Sequence, residues 1–498
     1  MPLILVILLL LPILLLVIRR EKSTSSKLPP CPPKLPLIGN LHQLGSLPHQ
    51  SLHALSVKYG PLMLLKLGEI PTLIVSSSDM AREIMRTHDH IFASRPSLLT
   101  SDILLNGATD VVFAPYGEHW RQMRKLCVNH LLSAKMVQSF RLMREEEVSS
   151  MLTRISGLVN MSEVLNLFTS KILFNAISGK FFVEEEGRIN VFCKLIRENI
   201  AILAQFSVSD FFPSLGWLDL VFGVGARARA TAKKWDDVLD EVIEDHVKRS
   251  NETGDADDQE ERADFVSVLM ALQEDDNTGF TLNRNIIKAI LQDMIAAGTE
   301  TSFLVLDWGM TELVRNPGTM KKLKDEVRSV AGSETVVREE DISKMFYLKA
   351  VIKEILRLHP PVPLLIPRES MDHCNVQQYE VPSKTRVLIN AWSMGRDPKV
   401  WEDPEEFRPE RFLDSDIDFR GQCFEFVPFG AGRRICPGMH FAAANLELAL
   451  ANLMYRFDWE LPDGMKSEDL DMGDSPGLTT RRRQNLHLVA RPFQRVKR

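Results

Sequence analysis

The sequence predicts a mainly α-helical protein with small β-sheets, organised as one large body. Helix-period apolar patterns dominate from Leu41 onward. An apolar run from Thr281 to Asn316 would form a helix about 54 Å long, enough to cross a whole domain. Pro317 follows this run and marks its end. Two short runs, Pro61 to Leu67 and Pro71 to Val75, have the length and composition of paired strands.

Composition and charge narrow the function classes. The chain has 498 residues, and its formal net charge of -6 comes from 60 basic and 66 acidic residues, which argues against a nucleic-acid partner. The six cysteines are scattered without a Cys-x-x-Cys spacing. This pattern indicates neither a disulfide framework nor a zinc site, and it fits a reducing, cytosol-facing compartment.

The N-terminus has the pattern of a membrane anchor. The segment from Pro2 to Ile18 has no charged or polar side chain, and Arg19 and Arg20 follow it. Its length is at the short limit of the ~17–25 residues of a spanning helix. The alternative is a cleaved signal peptide, but the basic residues lie on the wrong side of the apolar run for one. We therefore predict an anchor over residues 1–20, with the body facing the cytosol.

Two further segments have clear local preferences. Closely spaced prolines between Leu28 and Pro36 favour a stiff, extended strut, so residues 21–40 are predicted to be a proline-rich hinge. The stretch from Glu252 to Arg262 is acidic and has no apolar period. It is predicted to be an exposed loop between helices.

The centre of the long apolar run contains residues that a buried helix does not favour. Its sequence from Ala297 to Ser302 is Ala-Gly-Thr-Glu-Thr-Ser. A mid-helix glycine costs about 1 kcal/mol relative to alanine, and a buried Glu300 needs a partner, water or a proton. The hydroxyl groups can bond back to preceding carbonyls. These residues indicate a local opening of the helix at a functional site; the alternative is a solvated helix face.

Cys436 lies in a glycine-rich, doubly basic loop that ends in a Pro-Gly step, Phe429-Gly-Ala-Gly-Arg-Arg-Ile-Cys436-Pro-Gly438. A lone cysteine is usually a small buried hydrophobe. Here the glycines permit close backbone approach, and the arginines and the following helix start are expected to favour the thiolate. A thiolate is a soft metal ligand, so the loop predicts one axial ligand for a flat cofactor.

Residues 429–438 match the haem-binding loop of cytochromes P-450, Phe-x-x-Gly-x-Arg-x-Cys-x-Gly, at every specified position. The stretch Ala297 to Ser302 resembles the oxygen-activating part of the long helix in this family. The amino-acid sequences of the hinge and of the segments around Pro409 and Cys436 are most similar to those of plant microsomal A-type members. The resemblance implies a single large cytochrome P-450 fold over residues 41–498, preceded by the N-terminal transmembrane helix.

The resemblance also implies roles for individual residues. Cys436 would bind the iron of haem b, and Thr301 and Glu300 would be catalytic, delivering protons to the oxygen being activated. The donors expected at the haem propionates are Trp120, Arg124, Arg368 and Arg434, and Phe429 is a further cofactor-binding residue. A buried structural triad would join Glu354, Arg357 and Arg411. The substrate pocket is expected to include Ala296, Ala297, Val362, Leu364, Leu365, Ile366 and Leu478, with Leu104 and Leu105 as further candidates.

The implied activity is a monooxygenase that inserts one oxygen atom from O2 into a small apolar metabolite. Electrons would come from an NADPH-cytochrome P-450 reductase, with cytochrome b5 as a further candidate partner, because the sequence shows no complete dinucleotide fingerprint. The expected location is the endoplasmic reticulum membrane. Two alternatives stay open: a haem-thiolate isomerase or dehydratase that needs neither O2 nor reductase, and a non-enzymatic haem carrier or sensor.

Overall fold

The computed structural model describes residues 27–179, 186–253, 264–275, 281–332 and 334–494. The predicted anchor over residues 1–20 and the first part of the hinge lie outside these residues. Within them the protein is mainly helical with small sheets, as predicted. The helices are α1 Pro48–Tyr59, α2 Ser78–Arg82, α3 Leu99–Leu104, α4 Glu118–Leu126, α5 Ala134–Ser139, α6 Arg141–Thr153, α7 Met161–Ser178, α8 Glu186–Leu203, α9 Leu218–Phe222, α10 Val224–Thr253, α11 Phe265–Glu274, α12 Arg284–Arg315, α13 Pro317–Ala331, α14 Glu339–Ile342, α15 Phe346–Leu358, α16 Ala391–Met394 and α17 Met439–Arg456.

The strands form small sheets at the edges of the helical body. They are β1 Leu62–Leu67, β2 Ile70–Val75, β3 Gly157–Asn160, β4 Arg368–Glu369, β5 Cys374–Val376, β6 Tyr379–Val381, β7 Arg386–Ile389, β8 Phe457–Glu460 and β9 His487–Pro492. The predicted pair β1 and β2 is an antiparallel hairpin in which Leu62 faces Val75. Strand β7 extends this sheet parallel to β2 and β4 pairs antiparallel with β7, while β3-β9-β8 and β5-β6 form two further sheets.

Helix α12 is the long helix that the sequence predicted, and it crosses the core. The Asn283 side chain caps it by accepting a hydrogen bond from the Ile286 amide at 3.0 Å. By length and composition it is the one helix among the described residues that could cross a membrane, but 78% of its most apolar window is buried within the protein. It is therefore a core helix.

Gly298 allows helices α12 and α7 to pack closely. A Cβ atom on Gly298 would lie 3.1 Å from the Leu173 side chain of α7. Helix α12 is continuous through residues 297–302, so the predicted local opening is not found. The glycine is accommodated because α7 approaches closely at that point, which recovers packing energy for the lost helix propensity.

The acidic loop begins later along the chain than the sequence predicted. Helix α10 extends to Thr253, so Glu252 is still helical, and residues 254–263 lie outside the described residues. A helix can continue beyond its last apolar residues, because each residue added to it forms one further backbone hydrogen bond.

The described part of the hinge packs against the edge of strand β1. The Leu64 amide donates to the Pro30 carbonyl at 3.0 Å, and the Lys66 amide donates to Asn40 Oδ1 at 2.9 Å. Asn40 is fully buried. The proline segment is extended as expected, since proline cannot continue a helix and is tolerated at a sheet edge.

Glu354, Arg357 and Arg411 lie together, as the resemblance implied. Arg357 donates to both Glu354 oxygens, at 2.7 and 2.8 Å, and Arg411 Nε donates to Glu354 Oε1 at 3.1 Å. The Glu354 and Arg357 side chains are 0% exposed. Arg357 also donates to the carbonyls of Pro404 and Glu406. The group therefore ties α15 to the segment that leads into the cysteine loop.

Candidate active site

The loop that presents Cys436 has a shape that its glycines permit. Gly432 has φ +68°, and a Cβ atom there would lie 2.3 Å from the Met85 carbonyl oxygen. The Cys436 amide donates to the Phe429 carbonyl at 2.9 Å, which closes the loop. The Arg433 amide donates to Asp89 Oδ2 at 3.0 Å, and its guanidinium donates to the same oxygen at 2.9 Å. The part of the loop that precedes the thiol is therefore anchored to Asp89 and closed on itself.

The expectation that the loop arginines favour the thiolate form of Cys436 is wrong. Arg433 is engaged by Asp89, and Arg434 donates to backbone carbonyls, including that of Ala93 at 2.7 Å. Burial raises the pKa of Cys436, and the Gly438 amide and Arg124 oppose this only in part. The free thiol is thus stabilised in its protonated form. A bound metal ion would supply the missing charge, because a coordinating thiol is deprotonated outright.

Cys436 lines a large cavity between the cysteine loop and helix α12. The cavity has about 1530 Å³ of empty space, which includes open solvent at its mouth. Thr301 lines it from α12, and Phe429, Pro437 and Gly438 line it from the cysteine loop. Most of the remaining wall is aliphatic or aromatic, contributed by Val111, Val112, Leu132, Leu173, Phe265, Met294, Val305, Leu356, Phe441 and Leu446 among others.

Four arginines share one part of the cavity wall: Arg95, Arg124, Arg368 and Arg434. Three of them were predicted, and Arg95 was not. Arg95 Nε donates to the Val112 carbonyl at 2.9 Å, and its NH1 donates to the Pro367 carbonyl at 2.8 Å. It lies outside any motif, and a single arginine in a sequence is more often a surface residue, so only the folded chain identifies it.

The arginine cluster carries excess positive charge in a buried place. Burial lowers the pKa of Arg368 to about 10, with Arg124 adding to the effect and Asp89 opposing it. Burial, with Arg368 and Arg124 as neighbours, lowers the pKa of Arg434 to about 9. Buried like charges of this kind are stable only when anions neutralise them. Two carboxylates on the edge of a cofactor would do so.

The donor set therefore fits haem b. A thiol on one wall would provide a soft ligand for iron, guanidinium groups would pair with two propionates, and apolar side chains flank the cavity and suit a porphyrin face. The residues that would hold the group are Cys436, Phe429 and the arginine cluster.

Trp120 has an indirect place in this arrangement. Its indole Nε1–H donates to the Val111 carbonyl at 3.0 Å and does not line the cavity. Its ring lies 4.0 Å from the Arg434 guanidinium carbon. The indole N–H that was predicted to face a propionate thus donates to a backbone carbonyl, and the ring stacks on Arg434 and orients it. The sequence showed a suitable donor but could not show that a nearer carbonyl accepts its hydrogen bond.

Thr301 is on the cavity wall and Glu300 is not. Thr301 Oγ1 donates to the Ala297 carbonyl at 2.6 Å, one turn earlier. The Glu300 carboxylate is 3% exposed and receives both hydrogen bonds of the Arg481 guanidinium. Adjacent residues on a helix point about 100° apart. The structure thus directs the Glu300 carboxylate toward Arg481 and away from the cavity, whereas the resemblance implied that it helps to deliver protons there.

The predicted substrate residues divide into two groups. Those that line the cavity are Ala297, Val362, Leu365 and Ile366. Those that do not are Ala296, Leu364, Leu478, Leu104 and Leu105. Leu364 packs against the cluster under the first sheet, and Leu104 and Leu105 belong to a small core cluster of their own. Family position identified the segments around Ala297 and Val362 to Ile366 correctly, but the segments around Leu104 and Leu478 contribute no residue to this cavity wall.

Comparison with known proteins agrees with this site. The family model "Cytochrome P450" matches residues 29–489. Cytochrome P450 71A1 of Persea americana is 49% identical, covering 91% of this chain and 91% of that protein. An indole-2-monooxygenase of Zea mays is 49% identical, covering 93% and 87%. A zebra fish cytochrome P450 solved with progesterone has a TM-score of 0.74 at 25% identity, covering 90% of this chain and 99% of that one.

The fold and the thiol-lined cavity define a haem-thiolate protein, and these matches define which kind. The chain belongs to the cytochrome P450 family and resembles its plant 71A-type members. It is an oxidoreductase of the monooxygenase type, and its cofactor is haem b, used with O2 and electrons from a reductase. This excludes the carrier or sensor alternative.

Proposed function

We propose that this protein oxygenates a small apolar specialised metabolite at the cytosolic face of the endoplasmic reticulum membrane. Its electrons come from an NADPH-dependent flavoprotein reductase, with cytochrome b5 as an accessory donor. The observation that carries the proposal is the cavity itself, in which the Cys436 thiol and the Thr301 hydroxyl line one space with a largely apolar wall.

The haem supplies the oxygen-activating chemistry when it is bound. The chain's own residues hold it and manage protons. Cys436 would bind the iron, and Arg95, Arg124, Arg368 and Arg434 would hold the propionates. Thr301 holds a proton within the cavity, since its hydroxyl can turn from the Ala297 carbonyl toward the reacting centre. Glu300, bound by Arg481, positions the segment that carries Thr301.

The proposed partners require two surfaces outside the cavity. Exposed basic residues near the cysteine loop, including Arg121, Lys125 and Arg433, provide positive charge for an acidic reductase surface. The apolar N-terminal segment of residues 1–20, which lies outside the described residues, anchors the chain in the membrane. This orientation keeps Cys436 in a reducing compartment.

The substrate classes that we propose are terpenoids, coumarins, phenylpropanoids, indoles and aldoximes. One relative is named for indole and another, from Strychnos sp, for norfluorocurarine, which supports a small specialised metabolite as the substrate. An apolar wall favours such compounds over charged metabolites. The choice among them depends on the shape of the wall.

The test is turnover with a defined redox partner. The full chain is co-expressed with a plant reductase, and microsomes are supplied with members of each class, NADPH and oxygen. We expect oxygenated product that requires all three, and isotope from ¹⁸O2 in that product. Cys436→Ser should remove the thiolate signature of the reduced carbon monoxide complex together with the product. Product that forms without oxygen or reductase would instead establish the isomerase or dehydratase alternative.

A further inference from the structure

Asp89 is a buried carboxylate that two arginines share. It is 6% exposed and does not line the cavity. Its Oδ1 accepts a hydrogen bond from Arg368 Nη1 at 3.4 Å, and its Oδ2 accepts one from Arg433 Nη1 at 2.9 Å. In the described part of the chain, no other carboxylate lies within ion-pair distance of either guanidinium. One negative charge therefore serves two positive charges.

The two arginines differ in what else they face. Arg368 is 3% exposed, lines the cavity and also donates to the Ala431 carbonyl at 2.8 Å. It is one of the four arginines that would hold the propionates. The Arg433 side chain is 46% exposed and does not line the cavity. Asp89 thus lies between a buried cation at the cofactor site and a cation at the protein surface.

The backbone of the cysteine loop fixes the position of Asp89. The Arg433 amide donates to Asp89 Oδ1 at 3.2 Å and to Oδ2 at 3.0 Å. A Cβ atom on Gly432 would lie 2.5 Å from Asp89 Oδ1, so the carboxylate lies directly against the loop. These backbone contacts do not depend on the Arg433 side chain. Removing that side chain would therefore leave the carboxylate beside Arg368.

Asp89 acts on the charge of both arginines. Burial lowers the pKa of Arg368 to about 10, and Asp89 opposes this change. The hydrogen bond from Asp89 raises the pKa of Arg433. Solvent screens the interaction with the exposed Arg433 more strongly than the interaction with the buried Arg368. Without the Arg433 side chain, the whole negative charge of Asp89 would act on Arg368.

We propose that Asp89 is a positioning residue that sets the reduction potential of the haem by dividing its charge between Arg368 and Arg433. A more negative surrounding stabilises ferric iron, because ferric iron carries one more positive charge than ferrous iron. Through Asp89, the exposed Arg433 acts on the haem although it does not line the cavity. The inference goes beyond the proposed function, since it depends neither on the substrate nor on the electron donor.

The experiment measures the reduction potential of the haem-loaded full chain by spectroelectrochemistry. Substrate is left out, and the haem absorption bands check that the spin state is the same in every variant. Arg433→Gln should lower the potential, because Asp89 then acts on Arg368 alone. Asp89→Asn should raise it, because Arg368 loses its counter-ion while asparagine still accepts from the Arg433 amide. In the double variant, Arg433→Gln should cause no shift beyond that of Asp89→Asn.

Arg82→Gln is the matched control for the loss of a surface charge. The Arg82 side chain is 47% exposed and pairs with Glu425 at 3.8 Å, not with Asp89. Its substitution should leave the potential unchanged. Equal shifts in Arg82→Gln and Arg433→Gln would overturn the proposal, even if Asp89→Asn failed to incorporate haem. An Arg433→Gln shift of the same size in the Asp89→Asn background would also overturn it.

The reduced carbon monoxide complex distinguishes this role of Asp89 from a purely structural one. We expect Asp89→Asn to keep the thiolate signature of that complex and to change the potential. A structural role alone would reduce the fraction of protein with the thiolate signature and leave the potential of that fraction at the wild-type value. That result would refute the proposal.

Discussion

The buried carboxylate of Glu354 allows a quantitative test of what holds the cysteine loop in place. Glu354→Gln removes the negative charge while keeping the volume. The guanidinium of Arg357, 0% exposed, and that of Arg411, 6% exposed, would then lose their shared counter-ion. The Arg408 amide also donates to Glu354, at 2.8 Å. We expect the fold to be destabilised, because two positive charges stay buried next to each other.

The magnitude follows from the burial. Breaking a buried pair by removing one partner costs about 3–5 kcal/mol. The family match spans roughly 460 residues, so the entropy of unfolding is about 1 kcal/mol per kelvin. The apparent melting temperature of Glu354→Gln should therefore fall by about 3–5 °C.

The assay follows the thiolate signature of the reduced carbon monoxide complex after heating to a series of temperatures. This spectrum reports the seating of the cysteine loop and haem together. Glu402→Gln is the control, because Glu402 is exposed and pairs with Arg408 at 2.7 Å on the surface. It should melt with the wild type. A Glu354→Gln midpoint within about one degree of the wild type would refute the reasoning.

Three further predictions follow from single contacts. Gly432→Ala should abolish haem incorporation, because its Cβ would meet the Met85 carbonyl oxygen at 2.3 Å. Gly464→Ala is the control: its φ is similar, +71°, but the space around it is open, so haem should be retained. Equal loss of haem in both variants would assign the effect to φ alone. Thr301→Ala should retain haem and divert NADPH-derived electrons to hydrogen peroxide, measured as the peroxide-to-product ratio; an unchanged ratio would remove Thr301 from proton delivery. Burial raises the pKa of Asp210 to about 6, so folding stability should fall as pH rises from about 4 through 6. Asp210→Asn should flatten that dependence in thermal melts, and an unchanged slope would contradict it.

The elements with strong local signals were predictable from the sequence. Hydrophobic periodicity and turn residues act over a few positions. They predicted the long apolar helix, its end at Pro317 and the β1–β2 hairpin. The cysteine loop was predictable because its glycines and its thiol lie within ten consecutive residues and form one local structure. The triad of Glu354, Arg357 and Arg411 required the order of motifs along the chain.

The directions of individual side chains were not predictable in the same way. Glu300 binds Arg481, and Trp120 binds the Val111 carbonyl, because those partners come from distant segments that only folding brings close. Asp293, which lines the cavity, had a usable signal, since it lies eight residues before Thr301 on one helix face. Arg95 had none.

The sequence by itself determined that this is a helical haem-thiolate protein, because the ligand loop and the core helix depend on residues adjacent in the chain. The tertiary structure decided how the charges are distributed around the cavity. It grouped four arginines where two propionates would fit, turned Glu300 toward Arg481 and placed Asp293 on the cavity wall. The physical reason is that burial and electrostatic pairing depend on which segments meet in space, and one sequence does not specify those meetings residue by residue.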